Sequence, residues 1–96
     1  MDRNAVKSAL DALEKKVKPH LSLWLALSRA GSAQREQWTA DKYNAFCDTA
    51  RHINYFNDKV AASRSRGEVS PSAVASADKV IACTRTLASA HRISKY

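Results

Sequence analysis

The chain has 96 residues, with 16 Lys and Arg against 9 Asp and Glu, which gives a net charge of +7 at pH 7. This length predicts a single domain over residues 1–96. Only two Gly and two Pro are present, too few turn-forming residues for a fold of many β-strands. The basic balance favours a polyanionic partner such as nucleic acid, an acidic protein surface or an anionic membrane. Because the cations are spread along the chain without a basic tail, any cationic patch must be assembled by folding.

The first predicted helix begins at Asp2, whose carboxylate is a candidate N-cap. Apolar positions then recur in alternating steps of four and three residues, the spacing of one helix face. They are Val6, Leu10, Leu13, Val17, His20, Trp24 and Leu27. Pro19 lies within this stripe, and a proline removes one intrahelical hydrogen bond. Because the stripe keeps its phase across Pro19, a kinked continuous helix is favoured over two separate helices, and Gly31 is the predicted C-terminal cap.

A polar connector is predicted over residues 32–38, followed by a second helix with Thr39 as its N-cap. Its apolar positions again follow three-four spacing: Tyr43, Phe46, Ala50, Ile53, Asn57 and Val60. The second helix is predicted to run to about Arg66 and to stop at Gly67.

The third predicted helix starts at Ser70 as N-cap, with Pro71 in the first helical position. Its inward positions are Val74, Ala77, Val80, Ile81, Thr84, Leu87 and Ala88, and its end is predicted to fray over residues 93–96. The predicted fold is therefore all-α, an antiparallel three-helix bundle, or four helices if Pro19 breaks the first. The side chains expected to be largely buried are Leu13, Trp24, Phe46, Ile53, Ile81 and Leu87.

The two cysteines, Cys47 and Cys83, lack the spacing of metal ligands. In a hairpin turning at residues 67–70, Cys47 would lie level with Ala90, roughly 10 Å along the axis from Cys83. Because a disulfide needs Cα atoms within about 7 Å, free buried thiols in a reducing compartment are expected. The basic segment before residues 21–27 resembles a signal peptide, but the apolar run is too short and starts too late, so the protein is predicted to be cytoplasmic.

Catalytic and metal-binding motifs are absent from the sequence: it has no Gly-rich phosphate loop, no His-Glu-x-x-His and no Gly-x-Ser-x-Gly. His52 lies five residues after Cys47, a spacing that does not place the two on one helix face. His20, His52 and His91 fall one on each predicted helix, without close ligand pairs. The sequence therefore predicts a non-enzymatic protein with no cofactor and no metal.

The segment Leu21–Leu27 carries apolar side chains in nearly every direction. At about 100° per residue, Trp24 and Leu27 share one side of the helix and Leu21 and Leu25 another. One neighbouring helix cannot cover both sides, so we expect part of this surface to contact a second copy of the chain or a different protein. The predicted protein interface consists of Pro19, Leu21, Trp24 and Leu25. Membrane docking is not predicted, because the leucines are not confined to one face.

The second predicted helix carries a basic stripe containing one aromatic residue. Arg51, Tyr55, Lys59 and Arg66 recur at steps near one or two helical turns, and His52 and Arg64 flank them. Such a stripe suits phosphate contact combined with base stacking. The alternative is a solvated face on which Tyr55 stacks against its cationic neighbours. A weaker stripe comprises Arg85, Arg92 and Lys95, and a third comprises Lys15, Lys16 and Lys18.

The predicted helices are too long, and their connectors are wrongly placed, for a helix-turn-helix that reads DNA bases. The sequence predicts a basic accessory or regulatory module that binds nucleic acid or a nucleic-acid-handling protein complex, as a phage- or plasmid-type modulator would. Two alternatives avoid nucleic acid and act through the Leu21–Leu27 surface. One is a protein-binding adaptor or inhibitor, and the other is a small structural subunit of a larger assembly.

Overall fold

Three long helices pack together in the computed structural model, which describes residues 2–29 and 32–93. The long helices are α1 (Arg3–Ser28), α3 (Ala40–Arg66) and α4 (Pro71–Ile93), and a short helix α2 (Ser32–Glu36) lies between the first two. The described residues contain no β-strand. The predicted all-α three-helix bundle is therefore confirmed, with the correction that part of the 32–38 connector is itself helical.

Local chemistry explains where the long helices begin. The Asp2 carboxylate accepts a hydrogen bond from the Asn4 N–H at 3.4 Å, and the Thr39 hydroxyl accepts one from the Lys42 N–H at 3.2 Å. The Ser70 hydroxyl does the same for the Ala73 N–H at 3.2 Å. Each bond satisfies an N–H of the first turn that has no partner within the helix. All three predicted N-caps are confirmed.

Two helix ends were predicted from glycine. α3 ends at Gly67 as predicted, and this glycine has φ +68° in the left-handed region. The Gly67 N–H donates to the Arg64 carbonyl at 3.3 Å, and the Glu68 N–H donates to the Ser63 carbonyl at 3.1 Å, which together form a Schellman motif. α1 ends at Ser28, and the predicted cap at Gly31 lies outside the described residues.

Pro19 lies inside α1, which runs without interruption from Arg3 to Ser28. Proline at this position leaves the Lys15 carbonyl without its usual donor. Pro19 and Lys15 are both exposed, so water can satisfy that carbonyl. The continuous first helix is confirmed, and Pro19 does not create a fourth long helix.

The register between α3 and α4 is marked by Thr49, whose hydroxyl donates to the Ala45 carbonyl of its own helix at 2.7 Å and also lies 3.2 Å from the Cys83 carbonyl of α4. The predicted register, with Cys47 level with Ala90, is therefore wrong by several residues. Both thiols are free, but Cys47 is exposed and Cys83 is half-buried, so the prediction of buried thiols is also wrong. The thiols do not approach because Cys47 lies on the solvent side of α3 and Thr49 faces α4.

The core consists of two apolar clusters along the bundle. The larger cluster contains Val6, Leu10, Val17, Ile53, Phe56, Val60, Ala73, Ala77 and Val80. The smaller one contains Leu27, Ala45, Leu87 and Ala90, with Leu23, Trp38 and Phe46 packed against it. Trp24 packs against both clusters and so joins them. The alanines of α4 bury little area themselves but permit close approach of its neighbours.

The predicted apolar stripe of α3 is partly wrong in phase. Tyr43 and Asn57 are exposed, whereas Phe56 is only 1% exposed and was not predicted to be inside. The buried face of α3 is hard to recognise in the sequence because it includes small polar residues. Thr49 and Ser63 are both buried there. The Thr49 hydroxyl is satisfied by the Ala45 carbonyl of its own helix at 2.7 Å, so its burial leaves no unpaired polar group.

Only part of the predicted core set is fully buried. Ile53 and Leu87 are buried as predicted, while Leu13, Trp24, Phe46 and Ile81 are half-buried. On α4, Val74 is exposed and its neighbour Ala73 is buried instead. In a bundle of only three helices each helix keeps a wide solvent-facing arc, so large side chains at the edges of the apolar face are only partly covered.

Candidate nucleic-acid interface

The predicted basic stripe of α3 forms a surface together with one residue of α4. Arg51, His52 and Tyr55 line a shallow cavity of about 470 Å³ with Lys79 of α4. Lys59 lies one turn beyond Tyr55, with its Nζ 5.0 Å from the centroid of the Tyr55 ring. We call these five residues the α3 basic face. Tyr55 is 45% exposed as a whole residue, so part of its side chain is accessible to a partner.

The charges of the α3 basic face are mostly uncompensated. Arg51 forms an ion pair with Asp48, three residues earlier on the same helix. Neither Lys59 nor Lys79 takes part in an ion pair among the described residues. Lys59 and Tyr55 instead form a cation–π contact, which leaves the ammonium group charged and solvated. Three cations thus lie around one aromatic ring, and one of them, Arg51, is paired with a carboxylate among the described residues.

Cys83 borders this face. Burial raises the pKa of the Cys83 thiol above its ordinary value, and Asp48 raises it further, whereas Arg51 and Lys79 act in the opposite direction. A thiol with a raised pKa stays protonated at neutral pH and is a poor nucleophile. Cys83 therefore gives no sign of an activated cysteine next to His52.

Lys79 is the member of the face that the sequence did not predict. It lies on another helix, and only the α3–α4 register, marked by the contact between Thr49 and Cys83, brings it beside Arg51 and Tyr55. No spacing rule within one helix can find such a residue. The signal available in the sequence was only that Lys79 is charged and sits next to the apolar position Val80.

Arg64 was predicted to belong to the basic stripe, but the structure places it on the opposite flank of α3, against α1. Its Nη2 lies 3.3 Å from the Asp11 carboxylate and 2.6 Å from the Glu14 carboxylate. The hydrogen bonds that Arg64 donates to Glu14 and Asp11 raise the pKa of Arg64. Two carboxylates thus compensate the charge of Arg64, which joins α3 to α1 instead of extending the α3 basic face.

The remaining basic residues lie elsewhere. Arg66 continues the stripe in phase but lines a cavity at the Gly67 end of the bundle. Arg85 and Arg92 are exposed on α4; Arg85 lies six residues from Lys79, about 240° around the helix, and thus faces another side. Lys95 lies outside the described residues. On α1, Lys16 pairs with Asp78 at 3.4 Å.

The four residues of the predicted protein interface differ in how exposed they are. Pro19 is exposed, Leu21 and Trp24 are half-buried, and Leu25 is 46% exposed. The Trp24 ring stacks on Phe46 with centroids 5.7 Å apart, and Trp38 meets Phe46 edge-on at 5.6 Å. The buried Nε1 of Trp24 has no hydrogen-bond partner among the described residues. Trp24 is therefore chiefly a packing residue, and Leu25 is more exposed than Leu21 and Trp24.

Other site types receive little support in the described part of the chain. No three His, Cys, Asp or Glu side chains there are grouped so as to hold a metal ion. None of the helices within residues 2–29 and 32–93 is long and apolar enough to cross a membrane. A search of protein-family models, curated proteins and solved structures finds no significant match to this chain.

Proposed function

We propose that this protein is a non-enzymatic accessory or regulatory module that binds nucleic acid, alone or within a nucleoprotein complex, through the α3 basic face. The observation that carries the proposal is the placement of Arg51, Lys59 and Lys79 around the exposed ring of Tyr55. Cations on a common surface neutralise backbone phosphates, and an exposed aromatic ring offers a stacking platform for a base.

This arrangement favours single-stranded nucleic acid. Stacking on Tyr55 requires a base that is not already stacked within a duplex, and such a contact contributes about 1–3 kcal/mol. The α3 basic face lies along the side of a long helix and presents no short recognition helix for a major groove. Binding should therefore depend on backbone charge and stacking, with little dependence on base sequence.

The test is fluorescence anisotropy with labelled single-stranded and duplex oligonucleotides at low salt. The variant Arg51→Gln/Lys59→Gln removes two cations of the face, and Arg85→Gln/Arg92→Gln removes the same charge from another side of α4. We expect the first pair to weaken single-strand binding by about tenfold or more and the control pair to change it little, since direct phosphate contacts outweigh distant charge. Equal losses in the two pairs would reduce the binding to net charge and contradict a defined face.

Stacking is tested separately. The variant Tyr55→Leu keeps an apolar side chain but removes the aromatic ring, so we expect weaker binding of single strands with duplex binding nearly unchanged. An equal effect on both nucleic acids would show that Tyr55 positions the cations and does not stack on a base.

A second candidate function is protein binding without nucleic acid, at the end of the bundle that carries Trp24. Two large side chains remain uncovered there, with Leu25 46% exposed and Tyr43 50% exposed. Burying each such side chain is worth about 1.5–3 kcal/mol, which favours association with a second copy or another protein. Sedimentation of the wild type against Leu25→Glu, with circular dichroism as the folding control, tests self-association. A wild-type protein that stays monomeric at high concentration would contradict self-association through this surface.

A further inference from the structure

A second basic site lies at the Gly67 end of the bundle, between the first two turns of α1 and the last turn of α3. It is a cavity of about 500 Å³, within the range of about 300–1,000 Å³ that small-molecule sites occupy. Its basic lining consists of Arg3 and Lys7 from α1 and Arg64 and Arg66 from α3. None of the five residues of the α3 basic face lines this cavity.

The charge of the cavity is largely uncompensated. Arg64 is held by Asp11 and Glu14, but Arg3, Lys7 and Arg66 take part in no ion pair among the described residues. The acidic neighbours in sequence, Asp2 and Glu68, are not among the lining residues. Three cationic residues therefore line one cavity, and none of them has a carboxylate partner among the described residues.

Two carbonyls in the last turn of α3 are used in hydrogen bonds, which lowers the negative partial charge that this helix end presents to an anion. Carbonyl groups of a last turn normally point outward and carry negative partial charge. Here the carbonyls of Arg64 and Ser63 accept hydrogen bonds from the Gly67 and Glu68 N–H groups. The left-handed conformation of Gly67 makes this possible, and a Cβ at Gly67 would meet no atom within 4 Å, so the space beside it is open.

We infer that this cavity binds a compact, multiply charged phosphate group. Two arginine guanidinium groups offer planar pairs of N–H donors that match phosphate oxygens, and Lys7 adds a point charge. A single monovalent anion would leave most of the positive charge that lines the cavity uncompensated, whereas linked phosphates carry enough negative charge to balance it. Two sources share this chemistry: a free oligophosphate, and the 5′-phosphorylated end of a nucleic acid. The inference goes beyond the proposed function, because it requires no residue of the α3 basic face.

The experiment is calorimetric titration of the full-length protein with sodium tripolyphosphate at constant ionic strength, with sodium sulfate as the comparison anion. We expect saturable binding of tripolyphosphate at one site and at least about tenfold weaker binding of sulfate, because three linked phosphates match several cations at once. The variant Lys7→Gln/Arg66→Gln should lose at least about tenfold in affinity, while Arg85→Gln/Arg92→Gln, with the same loss of charge, should bind as the wild type does. Absence of saturable binding, or equal losses in both pairs, would overturn the inference.

Folding of each variant is checked by circular dichroism melting, and Arg3→Gln/Lys7→Gln provides a second pair should the first fail to fold. The source of the phosphate is resolved with one oligonucleotide carrying either a 5′-phosphate or a 5′-hydroxyl. A preference for the phosphorylated form that disappears in Lys7→Gln/Arg66→Gln assigns the cavity to nucleic-acid ends. Equal binding of the two forms, with tripolyphosphate binding intact, assigns it to a free oligophosphate. Binding to the α3 basic face is measured with the 5′-hydroxyl oligonucleotide, which lacks the terminal phosphate. Failure of the phosphate-cavity inference can therefore be distinguished from failure of the proposed nucleic-acid function.

Discussion

The two flanks of α3 differ in how their basic residues are compensated by neighbouring carboxylates. On the flank that faces α1, Arg64 lies against Asp11 and Glu14, and its charge is compensated. On the flank that faces α4, Lys59 and Lys79 have no carboxylate partner in the described structure, and Arg51 has only Asp48. The net charge of +7 therefore does not define a binding surface. The distribution of carboxylates decides which cations remain available to a polyanion.

Truncation of a core side chain in the cluster shared by the three long helices is expected to give the largest effect, a loss of stability. Phe56 is buried at the junction of all three long helices, so Phe56→Ala should lower the free energy of unfolding by about 3–5 kcal/mol. Urea denaturation followed by circular dichroism measures this loss. The matched control is Tyr43→Ala on the same helix, whose side chain is exposed and whose removal should change stability by less than about 0.5 kcal/mol. Similar losses in the two variants would mean that the observed phase of α3 is wrong.

A substitution on the flank of α3 that faces α1 should change the stability of the protein but not its affinity for nucleic acid. Arg64→Gln removes both contacts to α1, and partly exposed ion pairs contribute about 0.2–1 kcal/mol each. We therefore expect a small loss of stability that diminishes at high salt and nearly unchanged affinity for a 5′-hydroxyl single strand. A loss of affinity as large as that of Arg51→Gln/Lys59→Gln would place Arg64 in the nucleic-acid interface and remove the contrast between the flanks.

The flank of α3 that faces α4 can be tested by removing Asp48, the carboxylate that pairs with Arg51 in the described part of the chain. Asp48→Asn releases Arg51 and preserves the shape of the side chain. We expect affinity for single-stranded nucleic acid to rise by about two- to fivefold at low salt, since one nearby negative charge is lost. Glu14→Gln removes one acid from the other flank and serves as the control in the same anisotropy assay. A larger gain from Glu14→Gln than from Asp48→Asn would assign the binding surface to the α1 flank.

The sequence predicted the helices well because their boundaries depend on local chemistry. Asp2, Thr39 and Ser70 act as N-caps through bonds that span two or three residues, and Gly67 ends α3 through its own backbone conformation. Such interactions can be recognised from neighbouring residue types alone. The same holds for the continuous α1, because the apolar stripe keeps its phase across Pro19.

Features that depend on how helices meet could not be predicted in this way. Phe56 was missed because Thr49 and Ser63, which share its buried face, are polar. The compensation of Arg64 depends on carboxylates 50 and 53 residues away in the chain. Lys79 lies beside Arg51 and Tyr55 only because of the α3–α4 register. The register predicted from a hairpin turning at residues 67–70 differs from the observed one by several residues. The composition of the candidate site is thus a tertiary property.

The most direct test of the α3 basic face is the salt dependence of single-strand binding. Each phosphate contact contributes about −0.7 to the slope of log affinity against log salt concentration. Arg51, Lys59 and Lys79 together predict a slope of about −2 for the wild type, and Arg51→Gln/Lys59→Gln should reduce its magnitude by about 1.4. Arg85→Gln/Arg92→Gln should leave the slope unchanged. A slope that falls equally in both variants, or that does not change in the first, would contradict the assignment of phosphate contacts to this face.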